Sequence, residues 1–263
     1  MTYDYPVFDM LDGHQSPRVS ATPWAVPPAI GLDAARENLV WTWGHGDINS
    51  YITPPAKLLE GFLRLHNAPP PKVLAYARKC GVLAGAVEKL REYEIGQHAT
   101  GDGWIVTEPI VAWHRLAAEA REIAYLAAAL RGFGHAREPL PGTRLNMVLD
   151  LQARLNRWLE IGAVRPSVQL HPDWTRVEGE RALLPTVGAS GLFGQLALEL
   201  ALAGTGSAGL AMCASCGEWF VPAFAPRKGE RQWCPAPQCK KAMRAAATRA
   251  SRARNRRREL TAI

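Results

Sequence analysis

Near its C-terminus the chain reads CASCGEWFVPAFAPRKGERQWCPAPQCKKAMRAAATRASRARNRRR, from Cys213 to Arg258. Four of its five cysteines fall within 27 residues, spaced Cys213-x2-Cys216-x17-Cys234-x4-Cys239. Two close pairs separated by about 20 residues are a common zinc layout, because each pair sits on its own tight turn and the two turns close a tetrahedron. Thiolate is the ligand, and zinc lowers the thiol pKa enough to hold all four deprotonated at neutral pH. A four-thiolate site has no open position, so it is structural rather than catalytic. Gly217, directly after the first pair, suits the left-handed turn of a zinc knuckle. The alanine-rich run after Cys239 predicts that the second pair lies at the start of a helix.

Three other chemistries use the same residues. Two disulfides conflict with a reducing compartment. A redox Cys-x-x-Cys at Cys213 and Cys216 leaves Cys234 and Cys239 unexplained. An iron–sulfur cluster also takes four cysteines and stands beside zinc as an alternative.

The helix expected after Cys239 is two-sided. Stepping about 100° per residue from Lys240 places Lys240, Lys241, Arg244, Arg249, Arg252, Arg256 and Arg258 within one half-circle. Ala242, Met243, Ala246, Ala247, Ala250 and Ala253 fill the other half, interrupted by Arg254 and Arg257. The small apolar face is expected to lie against the zinc module while the basic face looks outward. Arg227, Lys228 and Arg231, in the loop between the cysteine pairs, extend that basic surface. Trp219, Phe220, Phe224 and Trp233 interleave with the cysteines. They serve either as base-stacking platforms or as the module's hydrophobic core, the second being the expectation for Phe220 and Trp233.

Charge follows the same division. From Cys213 onward there are 12 Lys/Arg against three acids (Glu218, Glu230, Glu259), a balance of +9. Residues 1–212 hold 19 against 21, a balance of −2, within a chain total of +7. Basicity segregated in this way points to a polyanion, most commonly nucleic acid. No apolar run approaches the roughly 20 residues of a membrane span, and the opening MTYDYPVFDMLDGHQ lacks the pattern of a secretion signal. The chain therefore reads as cytoplasmic.

Upstream, five prolines in residues 1–32 suggest an extended arm that packs on the body or stays loose. ENLVWTWGHGDINSYI (Glu37–Ile52) reads as a short strand or hairpin. Helices follow. One opens at Pro54-Pro55, and KVLAYARKCGVLAGAVEKLREYE reads as two helices joined near Gly81. A long helix is expected after an N-cap at Thr107, ending at Gly132 and Gly134, and another from Thr143 to Gly162. PSVQLHPDWTRVEGERALLPTV reads as short strands and turns with VEGE at a hairpin tip, and Ser190 caps one more apolar helix. The expected fold is mainly α with minor β. It comprises an arm (1–32), a mostly helical body (33–207) for sensing or oligomerisation, and a zinc-finger module with a basic C-terminal helix (208–263).

No enzyme motif stands out. His45 and Asp47, in W-G-H-G-D, lack a nucleophile, and G-x-S-x-G, H-E-x-x-H and phosphate-loop patterns are absent. Gly101-Asp102-Gly103 and the Gly204–Gly209 stretch are turn chemistry. His114 reads as a partly buried, hydrogen-bonded histidine and Cys80 as a core thiol.

The pattern C-x2-C-x-x-W-F-x-P, then R-x-W-C-x4-C, then a basic alanine/arginine helix, resembles the CGNR-type zinc fingers of bacteria. These close proteins assigned as transcription regulators, whose N-terminal ABATE-like domain is largely helical. The matching residues are Cys213, Cys216, Trp219, Phe220, Arg231, Trp233, Cys234 and Cys239, within residues 210–255. The Cys-Gly-Asn-Arg that names the family reads Cys239-Lys240-Lys241-Ala242 here. The resemblance implies zinc and DNA binding. The expected function is thus a non-enzymatic, zinc-dependent regulator on double-stranded DNA, with a homodimer and a small effector left open. An RNA- or ribosome-associated zinc protein and a protein-interaction scaffold are the alternatives.

Overall fold

The computed structural model describes residues 18–19, 24–27, 29–44, 51–52, 55, 57–83, 96–100, 103–130, 141–170, 183–189, 191–205, 210–222 and 231–261. The architecture is mainly helical with small sheets, ending in a four-cysteine cluster and a helix. In order, the elements of the N-terminal half are β1 (Arg18–Val19), β2 (Trp24–Ala25), β3 (Ile30–Leu32), β4 (Asn38–Gly44), β5 (Tyr51–Ile52), α1 (Leu58–Leu63), α2 (Pro70–Cys80), β6 (Gly96–Thr100) and β7 (Gly103–Pro109). Then come α3 (Ile110–Leu130), α4 (Pro141–Ile161), β8 (Arg165–Leu170), β9 (Leu183–Gly188), α5 (Gly191–Thr205), β10 (Ala211–Met212), β11 (Trp219–Phe220) and α6 (Pro237–Thr261).

The core forms around α3. Ile110, Trp113, Leu116, Ala117, Ala120, Ile123 and Ala124 recur at helical spacing and are all buried. Helices α1, α2, α4 and α5 pack on this face, and its alanines let them approach closely. Trp113 meets the rings of Phe62 and Tyr76 at 6.2 and 6.1 Å between centroids. On the α4–α5 side Trp158 lies 4.8 Å from Phe193. Helix α5 is apolar around most of its circumference and is accordingly buried from Leu192 to Leu198.

Helix α2 starts at consecutive prolines, whose missing N–H groups cost nothing in a first turn. It stops at Gly81, whose φ of 96° no L-residue adopts easily. The joint expected at Gly81 is therefore a helix end, and residues 84–95 lie outside the described residues.

Two sequence expectations need correction. Thr107 does not cap α3. It lies inside β7, opposite Val40 on one side and Gly96 on the other, and the helix begins three residues later. Strands β6 and β7 themselves went unread. They form a hairpin whose register pairs Thr100 with Gly103, while Gly101 and Asp102, read from the sequence as turn chemistry, lie outside the described residues. Together they complete the antiparallel sheet β3-β4-β7-β6. ENLVWTWG supplies β4 as expected, but Tyr51–Ile52 pairs with β2 and not with β4.

Strands β8 and β9 pair antiparallel from Leu170↔Leu183 to Arg165↔Gly188, and β1 joins β9 in parallel. The VEGE turn and Ser190 lie outside the described residues. Helix α4 starts at Pro141, two residues before Thr143, and ends before Gly162. In the proline-rich segment Trp24, Val26 and Ile30 are buried in the main core, and the Trp24 indole donates to the Cys80 carbonyl at 3.0 Å.

Candidate metal centre and basic helix

Strands β10 and β11 form an antiparallel pair with Ala211 opposite Phe220 and Met212 opposite Trp219. Side chains alternate across a strand, so this short hairpin has two faces. One presents Ala211 and Phe220, buried with Cys213, Cys234 and Cys239 in a small cluster. The other presents Met212 and Trp219 to the main core of the body.

The turn between the strands is a knuckle. Cys213 N–H donates to the Glu218 carbonyl (2.9 Å), and Gly217 N–H donates to the Cys213 carbonyl (3.0 Å). Gly217 takes φ 72°, as its type and place predict. The second pair is tied to the first by Ala214 N–H donating to the Gln232 carbonyl at 2.8 Å. Cys239 sits in the opening turn of α6 and donates its N–H to the Ala236 carbonyl at 3.0 Å.

These turns bring all four sulfurs within 4.8 Å of one another, with Cys216 and Cys234 Sγ 3.8 Å apart. Metal–sulfur bonds of about 2.3 Å in a tetrahedron give edges of about 3.8 Å. A disulfide needs about 2.05 Å, and all five cysteines are free. The donor set therefore fits one shared metal ion. Cys213, Cys234 and Cys239 are buried and Cys216 is exposed.

Burial pushes the Cys213 thiol up, but backbone N–H groups of Cys234, Cys216 and Ser215 together outweigh it and bring it down to about 6. Cys239 is pushed up to about 12, first by burial and then by the neighbouring Cys234, Cys216 and Cys213 sulfurs. Four thiolates crowded this closely need a cation before all can ionise.

Two contacts that the sequence did not disclose seat the module on the body. The Arg121 guanidinium reaches Glu218 at 3.6 Å, and Glu60, almost fully buried, accepts the Val221 N–H at 3.3 Å. Neither Arg121 nor Glu60 carries a local signal, since each partner lies in a distant part of the chain.

Helix α6 begins at the cluster. Lys240, Lys241, Arg244, Arg249 and Arg252 are all exposed along it, and among the described residues none of them has an ion-pair partner. Arg256 lies in α6, but its side chain is outside the described residues, as are Arg227 and Lys228. Arg231 is exposed.

The apolar face of α6 corrects its expectation. Only Cys239 is buried, Ala242 and Ala246 are half-buried, and Met243, Ala247, Ala250 and Ala253 are exposed. Beyond its first three turns the helix is exposed as far as Ala253, with no described residue covering its apolar positions.

Trp219 and Phe220 are buried and so unavailable for stacking, while Trp233 is half-buried and Phe224 lies outside the described residues. His114 Nε2 sits 2.8 Å from the Ala68 carbonyl, and Cys80 is buried with its thiol pushed up to about 11 by burial. His45 and Asp47 are outside the described residues. Among the described residues no helix is long and apolar enough to cross a membrane. No family model, curated protein or solved structure matches the chain.

Proposed function

We propose that the four cysteines hold a structural zinc ion and that the protein is a non-enzymatic DNA-binding protein, a transcription regulator of the kind the CGNR resemblance implies. The observation that carries this reading is the row of five exposed, acid-free cations on a helix anchored at Cys239. Zinc is the natural occupant of a closed four-thiolate tetrahedron. Duplex is favoured over single strands because two of the module's four stacking candidates, Trp219 and Phe220, are committed to cores. The exposed cations of α6 are spaced along a rod, which suits a phosphate backbone.

The experiment is a salt titration of binding to matched duplex DNA, single-stranded DNA and RNA. Each phosphate contact adds about 0.9 to the slope of log affinity against log salt on duplex DNA. Arg244→Ala with Arg252→Ala should lower that slope by about 2. An unchanged slope and affinity in the double variant removes the helix from the interface. Stronger binding to RNA than to duplex DNA would transfer the reading to an RNA-associated protein.

A further inference from the structure

Between α3, α4 and the back of the metal hairpin lies an open groove of about 390 Å³, within the range of small-molecule sites. Its lining includes Met212 and the almost fully buried Trp219, the face of the hairpin turned away from the sulfurs, and Leu126 adds to the apolar surface.

Its polar groups are of two kinds. Arg121 spends only Nη1 on the protein, at 3.4 Å from the Leu63 carbonyl and 3.6 Å from Glu218. Among the described residues it has no other partner, so the Nε–Nη2 edge is left for an incoming carboxylate. A fork of two parallel N–H donors is the geometry that a carboxylate fits best. Beside it, one helical turn on, the Tyr125 hydroxyl also lacks a partner among the described residues. The second polar group is a triad. Arg154 is held at 2.9 Å by both Glu122 and Asp150, so two carboxylates surround one guanidinium and the triad carries a surplus of one negative charge.

The groove thus offers an open guanidinium edge on Arg121, although Glu218 stands 3.6 Å from its Nη1, a carboxylate surplus at the triad, and apolar surface in the same lining. We propose that this groove binds a free amino acid with an apolar side chain. Its carboxylate would lie on the open edge of Arg121, its ammonium against the Glu122–Arg154–Asp150 triad, and its side chain on the partly exposed Leu126 and Met212. A peptide terminus offers only one of the two charges, and a simple anion or amine leaves one end unanswered. This site is separate from the basic helix, so it stands or falls independently of the DNA-binding reading.

The test is isothermal titration of the full-length, zinc-loaded protein with L-phenylalanine, 3-phenylpropionate and 2-phenylethylamine. L-Phenylalanine should bind at one saturable site, with each half-ligand weaker by about tenfold or more. Arg121→Met should weaken L-phenylalanine and 3-phenylpropionate about tenfold and leave 2-phenylethylamine unchanged. Glu122→Gln, at a position 66% exposed and so tolerant of substitution, should show the mirror pattern, weakening the two amines and sparing 3-phenylpropionate. The proposal is overturned if L-phenylalanine, L-leucine and L-tryptophan all fail to bind up to about 10 mM. It is equally overturned if the half-ligands match the amino acid, or if the two variants do not divide them by charge.

Discussion

Glu199 shows how one side chain ties the packing to pH. It lies on α5 against the start of α1, where burial raises its carboxyl to about 7 against the opposing pull of the Leu59 N–H (3.0 Å) and the Gln195 amide (3.5 Å). A carboxyl raised in the folded state binds its proton more tightly there than in the unfolded chain. Its stabilising contribution is therefore complete below about pH 4.5 and is lost as pH rises through about 7, a change of up to about 3 kcal/mol. Glu199→Gln should flatten that part of the stability curve, read by urea unfolding at about pH 5 and about pH 7.5. A wild-type pH dependence that survives the substitution would assign it to another group. Trp219 teaches a different lesson at the same scale. Its place between two cysteines suggests the module, but the alternation of β11 turns it into the body. Trp219→Ala should cost about 3–5 kcal/mol of overall stability, far more than the loss of a surface aromatic.

At the scale of elements, the main helices and strands β4, β8 and β9 were legible, and the β6–β7 hairpin was not. The apolar spacing of α3 and the proline and glycine boundaries of α2 are local signals, repeated every three or four residues. Strand β7 carried a competing signal. Thr107 followed by Glu108-Pro109 looks like a helix start, and only pairing with β4 and β6 reveals it as strand. Close contacts between elements were equally silent in the sequence. A Cβ on Gly194 would sit 2.5 Å from the Gly162 carbonyl oxygen, so the end of α4 touches α5 backbone to backbone. Gly194→Ala should destabilise the protein by about 1–3 kcal/mol in thermal melts despite the better helix propensity of alanine. Helix α6 is exposed over most of its length, so intrinsic propensity matters there more than packing does. Ala247→Gly with Ala250→Gly should cost about 2 kcal/mol of helix stability. The paired substitution should also weaken duplex binding while leaving its salt slope unchanged, since no cation is lost.

At the scale of the molecule, the metal module and the body share the two faces of one hairpin. Removing the metal should therefore unsettle more than the four cysteines. Chelation of the reduced protein is expected to lower the midpoint of a single global melting transition by roughly 5–15 °C. Two separate transitions, with the body's midpoint unmoved, would show that the module is an independent appendage. The cysteine spacing, the knuckle glycine, the basic sector of α6 and the main helices were determined by the sequence alone, because each is written within a few turns of chain. The seating of Trp219 and Met212 on the body, the bridge from Arg121 to Glu218 and the groove beneath α3 and α4 came only with the tertiary structure. Those contacts join residues far apart in the chain, and no local periodicity can specify which distant surfaces meet.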